Sequence, residues 1–380
     1  MRIYFDNAAT TAMDTMVIER ISNVMKDVYG NPSAIHGMGR KARAEIELAR
    51  RSIAKWINCQ PSEIYFTGSG TEADNMALRC AVNDLGVKHI ITTAIEHKAV
   101  LDTAMDIVAK TDVKLHMVNI DHEGKTDMNH LRELAAAHKG ALISIMHANN
   151  EIGTINNIVE ISSIARENDC YFHTDTVQTM GHYTYNLEEL DVDFLTCSAH
   201  KFHGPKGVGF LYKNKKIQLR PIITGGGQES KLRAGTENVI GIVGLAEAMN
   251  QAYLSLDTDK PRLEELKQYC ISQLKERIPG VKFNGNTSVE GSLYTVLNIS
   301  IPPYEGDSTL LYQMDIEGVC VSGGSACNSG AVGGSHVLEG IGHPNNRSAV
   351  RFSFSKHNTK EEVNQAIKIL CEIVAIALPV

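Results

Sequence analysis

The chain has 380 residues, of which 43% are hydrophobic and 21% charged, and its formal net charge is −7. This length exceeds what one hydrophobic core usually supports, so two domains are expected, and the composition excludes a disordered protein. The negative charge and the lack of a basic run argue against nucleic acid or a membrane as a partner, and favour a small molecule or a protein.

The opening segment, "MRIYFDNAATT", lacks the apolar core and cleavage site of a signal peptide, and no apolar run of membrane-spanning length stands out. A cytoplasmic location is therefore expected. The eight cysteines are scattered, without the C-x-x-C spacing of zinc or redox motifs. In a reducing compartment we expect most of them to be buried small hydrophobic residues.

Short apolar runs alternate with longer amphipathic segments from about residue 15 to residue 255. The segments between the runs, such as "TEADNMALRCAVNDLG", carry apolar residues at helical spacing. The runs read as strands: "EIYFTG", "HIITTA", "KLHMVNI", "ALISIMHA", "CYFHTD", "DFLTCSA" and "VGFLY". The alternation predicts an α/β fold, with a large domain over 15–255 built on a mostly parallel sheet covered by helices.

The pattern changes after Gly235. Two long helices are predicted over 237–257 and 261–277, followed by "LYTVLNISI", a helix near 307–316, "GVCVSGGSACNSG", "AVRFSFS" and a last helix from about 359. We expect a smaller α+β domain made of residues 256–380 together with residues 1–14.

A glycine-rich turn leads from a strand into a helix in "YFTGSGTEADN". Gly70 and Thr71 would stand at the helix N-terminus, where free N–H groups and the helix dipole favour an anion. The spacing matches neither the P-loop nor the G-x-G-x-x-G fingerprint, so a purely structural turn is an equal alternative.

Two further strands end in polar residues. Asp175 follows "CYFHT" and is either a helix cap or a buried carboxylate that holds a proton on a heterocyclic nitrogen. His97 ends "AIEH" and is either an ordinary loop residue or a ring that stacks on an aromatic ligand and moves protons.

These residues all lie at the carboxyl edge of the predicted sheet, where ligands of α/β proteins bind. Asn150 in "HANNEIG" and a lysine of "SAHKFHGPKG" join them there. A phosphate cradle, a carboxylate and a lysine are the parts that hold pyridoxal 5′-phosphate.

A series of sequence blocks resembles, in order, the signature blocks of cysteine desulfurases of the NifS/IscS type, in the class V aminotransferase superfamily. The blocks span residues 4–355: "YFDNAATT", "YGNPSAIHGMGRKAR", "TGSGTEADN", "EHKAV", "HANNEIGTI", "HTDTVQ", "SAHKFHGPKGVGFLY", "RAGTENV", "SGGSACNSG" and "RFSFS". The resemblance implies a fold type I pyridoxal-phosphate enzyme.

The resemblance also implies a role for each matching residue. Lys201 would carry the cofactor covalently, and His97 would stack on its ring. Asp175 would pair with the ring nitrogen, Gln178 with the ring hydroxyl, and Asn150 would lie beside the substrate and the ring oxygen. The phosphate would be held by Gly70, Thr71, Ser198, His200 and, from the neighbouring subunit, Thr236. A homodimer with shared active sites follows.

Cys327 differs from the other cysteines because it lies among glycines and serines in "VSGGSACNSGAVGGSH", as a thiol that must reach a substrate and a partner would. The resemblance implies that Cys327 accepts sulfur as a persulfide and, through it, is a transient ligand of an iron–sulfur cluster. Arg351 in "RFSFS" matches the residue that binds the substrate carboxylate.

The implied activity is the conversion of L-cysteine to L-alanine, with sulfur passing from Cys327 to an acceptor such as an iron–sulfur scaffold protein. Two alternatives stay open: a selenocysteine lyase or other class V enzyme, and a catalytically idle sulfur carrier that keeps the fold. Longer IscS-type relatives have a C-terminal extension that docks the scaffold, whereas this chain stops at Val380. The acceptor and its pathway are therefore left open.

Overall fold

The structure is a computed structural model that describes residues 2–303, 309–323 and 334–377. In chain order its strands are β1 Ile3–Tyr4, β2 Ile64–Thr67, β3 His89–Thr93, β4 Lys114–Val118, β5 Leu142–Ser144, β6 Tyr171–Asp175, β7 Phe194–Ser198, β8 Gly209–Lys213, β9 Lys282–Asn284, β10 Val296–Ser300, β11 Val319–Cys320 and β12 Ala349–Ser353. Its helices are α1 Thr15–Asp27, α2 Gly37–Trp56, α3 Gly70–Leu85, α4 Lys98–Lys110, α5 Met128–Ala137, α6 Ile158–Glu167, α7 Val239–Arg277, α8 Leu310–Ile316, α9 His336–Gly340 and α10 Lys360–Ala377.

All seven predicted runs of the large domain form strands of one sheet, in the order β2-β8-β7-β6-β5-β3-β4. The five strands from β7 to β4 are parallel, and β8 is antiparallel to both of its neighbours. The prediction of an α/β fold with a mostly parallel sheet is thus confirmed. Because β2 and β7 both oppose β8, β2 runs in the same direction as the parallel strands.

Successive side chains along each strand of the sheet pack alternately into two separate apolar cores, one on each face. Ile91, Ile143 and Leu195 pack into the core beneath α2, α6 and α7, whereas their neighbours on the same strands pack into the core beneath α3 and α4. This period of two places helices on both faces, as a buried parallel sheet requires.

A second structural unit has its own core and an antiparallel sheet in the order β12-β10-β9. The N-terminal strand β1 pairs in parallel with β11, and Phe5 is fully buried in this second core. The first residues of the chain therefore pack with the last third of the sequence.

The helix α7 differs from prediction, since one helix runs from Val239 to Arg277 where two were expected. Pro261 lies inside it. Its ring removes one backbone hydrogen bond, but the good helix formers around it and the burial of Leu263 and Leu266 carry the helix through. The predicted domain boundary at 255/256 falls within this helix, so the boundary stays a prediction.

By length and composition alone, α7 is apolar enough to cross a membrane, contrary to the expectation that no run of this length exists. Half of its most apolar window is buried inside the protein. Its buried residues pack against α1 and α2, as those of a core helix do.

Close backbone packing requires glycine at position 209, where β8 passes the start of α3. A Cβ atom at this position would lie 2.3 Å from Cys197 O and 3.0 Å from Ser69 C, both of them backbone atoms. Only glycine therefore allows the glycine-rich turn to lie against the sheet.

We expect Gly209→Ala to lower the free energy of unfolding by about 1–3 kcal/mol, because the backbone must move to admit the methyl group. Denaturant unfolding of the purified protein measures this change. Gly37→Ala is the matched control: an added Cβ there lies 3.9 Å from its nearest neighbour, and the stability should hold or rise slightly. Equal stabilities of the two variants would contradict the packing argument.

Candidate active site

One cavity at the carboxyl edge of the large sheet has room for about 210 Å³. Among the residues that line it are Gly70, Thr71, His97, Asn150, Asp175, Gln178, Ser198, His200, Lys201 and Arg351. All were singled out from the sequence, and the common direction of β2, β3, β5, β6 and β7 brings most of them together. Thr236 lines a different cavity and is exposed, and Cys327 falls outside the described residues.

The glycine-rich turn forms the N-terminus of α3. Ser69 caps this helix, its hydroxyl accepting the backbone N–H of Glu72 at 3.2 Å. A Cβ on Gly70 would lie 2.7 Å from Val177 Cγ2 and 3.4 Å from Ser198 Cβ. Glycine thus lets the first turn of the helix lie directly beside the end of β7, with its N–H groups at the cavity.

Lys201 lies in a short 3-10 turn directly after β7. Its Nζ donates hydrogen bonds to the backbone carbonyls of Ala8 at 2.6 Å and Ala9 at 2.8 Å. Gln178 Nε2 donates to the same Ala8 carbonyl at 3.0 Å. The N-terminal segment therefore holds the amine at the cavity, a contact that the sequence patterns did not indicate.

His97 caps α4, and its Nδ1 accepts the backbone N–H of Ala99 at 3.1 Å. A neutral imidazole in this position carries its proton on Nε2. Burial lowers the pKa of His97, with Lys201 acting in the same direction and Asp175 opposing it. The ring is therefore neutral near pH 7 and offers one N–H donor.

Asp175 is the last residue of β6, and its Oδ1 accepts the backbone N–H of Val177 at 2.8 Å. Burial raises the pKa of Asp175 to about 7, with the nearby Asp74 adding to the rise and His97 opposing it. A buried carboxylate of this kind is stabilised by a cationic N–H partner.

Asp74, in the first turns of α3, also lines the cavity and is 1% exposed. Burial raises its pKa to about 7, opposed by a hydrogen bond with Thr196. Its Oδ1 lies 3.4 Å from Nε2 of His173, whose pKa burial lowers to about 4. The sequence placed Asp74 at a helix start but gave no sign that it would be buried.

Arg351 in β12 is 1% exposed and reaches the cavity from the second structural unit. Its Nη1 donates to Asn150 O and its Nη2 to Asp6 Oδ1, both at 2.8 Å. Its Nε is buried and has no acceptor among the residues that the structure describes. Asp6 was not singled out from the sequence, although it lies in the quoted block "YFDNAATT".

The donors around this cavity fit pyridoxal 5′-phosphate. A helix N-terminus, Ser198 and His200 suit an anion, Asp175 suits a ring N–H, and Lys201 supplies an amine. Gly70 leaves the space next to Val177 and Ser198 that a side chain would fill.

Comparison with known proteins agrees with the cofactor that this cavity fits. The chain matches the Aminotransferase class-V family over residues 3–366. It is 45% identical over 376 residues to "Cysteine desulfurase IscS" of Dictyoglomus turgidum, with 98% of this chain and 94% of the relative covered. A solved "NIFS-like protein" matches with a TM-score of 0.91 at 39% identity, covering 99% of this chain and 100% of the other. "SspA in complex with cysteine" matches with a TM-score of 0.81 at 31% identity, covering 94% and 100%.

We expect the stability advantage of Asp74 over asparagine to fall as the pH rises. The folded protein keeps this proton up to about pH 7, whereas an unfolded chain releases it near pH 4. The contribution of the protonated carboxyl is therefore complete below pH 4 and lost as the pH passes 7. Relative to Asp74→Asn, the free energy of unfolding of the cofactor-free protein should fall by on the order of 4 kcal/mol between pH 4 and pH 8.

Denaturant unfolding of both proteins at several pH values measures this difference. Asp112→Asn, which changes an exposed aspartate, is the control and should leave the pH profile unchanged. Parallel profiles for the protein and its Asp74→Asn variant would show that Asp74 stays ionised in the fold.

Proposed function

Because the chain belongs to the class V aminotransferases and, within them, to the IscS/NifS cysteine desulfurases, we propose that it converts L-cysteine to L-alanine. In this reaction the C–S bond of cysteine breaks and an S–S bond forms with the Cys327 thiolate. One cysteine and one thiol give one alanine and one persulfide, so no external oxidant is needed. The main support for this reaction is that one cavity is lined by Lys201, Asp175, His97 and Arg351.

The family uses pyridoxal 5′-phosphate, which when bound draws electrons from the substrate Cα into its ring. Lys201 would hold this group covalently and would move the proton at the substrate Cα, since its amine lies at the cavity. Asp175 would keep the ring nitrogen protonated, since a buried carboxylate favours a cationic N–H partner. Gln178 would pair with the ring hydroxyl.

Gly70 and Thr71 at the N-terminus of α3, together with Ser198 and His200, would hold the phosphate of this group. Neutral His97 would stack on the ring of this group, and its Nε2–H would be free to donate, since its Nδ1 accepts the N–H of Ala99. The hydrogen bond from the Ala99 N–H to Nδ1 fixes the orientation of the His97 imidazole.

Arg351 binds the substrate carboxylate beside Asn150. Its Nε is buried and finds no acceptor within residues 2–303, 309–323 and 334–377, which supports this role, since a carboxylate oxygen would satisfy it. The partners of the other two nitrogens hold the guanidinium plane in place before substrate arrives.

Cys327 is the sulfur acceptor on the chain itself. The support is its place in the glycine- and serine-rich block "GGSACNSG" of the sequence. The final acceptor is a protein such as an iron–sulfur scaffold, in keeping with the IscS name of the relatives, and the persulfide would be a transient cluster ligand there. The reaction is expected to take place in the cytoplasm.

We expect Lys201→Ala to abolish alanine formation, because the amine that holds the cofactor and moves the proton is lost. Cys327→Ser should keep the cofactor absorption at about 420 nm and lose the persulfide. Alanine, sulfide and protein-bound persulfide are measured after addition of L-cysteine, and of selenocysteine in parallel.

Alanine formation by Cys327→Ser at the rate of the unmodified protein would contradict the thiolate step. A strong preference for selenocysteine over cysteine would favour the selenocysteine lyase. A protein that binds the cofactor and forms no alanine from either substrate would favour the idle sulfur carrier.

The active protein is proposed to be a homodimer in which Thr236 contacts the cofactor phosphate of the partner. Thr236 is exposed and lies outside the cavity of its own chain. Large apolar side chains are exposed in the first part of the chain, with Met25 at 60%, Tyr29 at 78% and Ile35 at 90%. A surface of this kind is typical of a subunit interface.

Mixing inactive subunits tests the shared site. Thr236→Asp should impair phosphate binding by repulsion, and Lys201→Ala removes the amine. If Thr236 acts across the interface, each mixed dimer contains one intact site, and random exchange restores about a quarter of the activity. If Thr236 acts within its own chain, mixing restores none. Analytical ultracentrifugation provides the control for dimer formation.

A further inference from the structure

Three histidines meet near the start of β3 and beside the edge strand β4, away from the cavity. Nδ1 of His89 lies 3.0 Å from Nε2 of His116. The ring of His138 stacks on both, with centroid distances of 4.3 Å to His89 and 4.0 Å to His116. One ligand nitrogen from each ring lies within 4.8 Å of the others, and all three residues are partly buried.

The topology brings these residues together from distant positions in the sequence. His89 begins β3, and β4 is the edge strand beside it, with His116 opposite Ile91. Both side chains therefore lie on the same face of the sheet, two residues apart in register. His138 directly follows α5 as its C-cap, and its backbone N–H donates to Leu134 O at 3.0 Å.

The cluster is chemically suited to a transition metal. Burial, followed by the proximity of His138, lowers the pKa of both His89 and His116, and Lys114 adds to the shift. Neutral imidazoles have free lone pairs at pH 7. The group contains no carboxylate among the described residues, which favours zinc, nickel or copper over magnesium or calcium.

The position adds an electrostatic contribution. His138 caps the C-terminus of α5, the end at which a helix dipole is negative and a cation is stabilised. Two nitrogens bound to tetrahedral zinc at 2.0–2.1 Å lie about 3.3 Å apart. The His89–His116 pair is already close to this separation, so ring rotation, chiefly of His138, completes the set.

We propose that His89, His116 and His138 bind one divalent transition-metal ion, with zinc as the reference ion and water in the fourth position. The ion would replace the hydrogen bond between His89 and His116. It would join the edge strand β4 to β3 and to the end of α5. This site is separate from the proposed desulfurase activity, which uses the opposite end of β3.

Equilibrium dialysis with Zn²⁺ alone tests the site on the cofactor-loaded protein. The Cys327→Ser background removes the thiol expected to compete for zinc. Each of His89→Asn, His116→Asn and His138→Asn should weaken the binding of one zinc equivalent tenfold or more. His122→Asn, which changes an exposed histidine outside the cluster, is the matched control and should bind zinc unchanged.

Thermal unfolding gives a second readout. Zn²⁺ should raise the melting temperature of the background protein and of the His122→Asn control, and should raise that of the three cluster variants by clearly less at the same zinc concentration. The melting temperatures without metal show whether each variant is folded. Absence of zinc binding by the background protein, or equal binding by all variants, would overturn the proposal.

Desulfurase activity separates this proposal from the previous one. In protein with Cys327 intact and without added metal, His116→Asn should form alanine at the rate of the unmodified protein. Loss of zinc binding with full activity is the expected result. An inactive protein that still binds zinc through the three histidines would refute the proposed function and leave the metal site standing.

Discussion

The buried charge of Arg351 constrains how the two structural units meet. A guanidinium that is 1% exposed costs several kcal/mol unless it is paired. Its partners are Asp6 from the N-terminal segment and the carbonyl of Asn150 from the loop that follows β5. These contacts hold β12 and the start of the chain against the carboxyl edge of the large sheet. The cavity lies where the three segments converge.

The same N-terminal segment also fixes the lysine. The carbonyls of Ala8 and Ala9 each accept a hydrogen bond from Lys201 Nζ, while Thr11 Oγ1 donates to the backbone carbonyl of His200 at 3.0 Å. A loop that carries a reactive amine is thus braced by backbone groups distant in sequence. This bracing preorganises the amine, whose long side chain would otherwise sample many rotamers.

Charge in the cavity is balanced by groups of opposite sign. Burial raises the pKa of both carboxyl groups, Asp74 and Asp175, and the nearby Asp74 adds to the rise at Asp175. Lys201 and Arg351 supply positive charge at the same cavity. A cationic ring N–H would relieve the repulsion between the carboxylates, so cofactor binding and the protonation of this pair are expected to be coupled.

Local patterns in the sequence predicted the sheet and most of the cavity lining, since strand ends and glycine turns are local features. They did not predict the continuity of α7 through Pro261, because packing in the second core outweighs the local propensity. Nor could they predict that backbone carbonyls of Ala8 and Ala9 hold Lys201, because a backbone acceptor leaves no mark in the sequence. The burial of Asp74 depends equally on tertiary contacts.

The histidine cluster was beyond sequence analysis for a related reason, since His89, His116 and His138 follow no metal-binding spacing and meet only through strand register. Its place in the fold bears on its purpose. β3 has His89 at its start, and the chain reaches His97 only after the strand has ended. The strand alone spans about 13 Å, so a metal at His89 lies too far away to touch the reacting atoms. The metal can instead secure β4, which is one of the two edge strands of the described sheet and pairs with β3 alone.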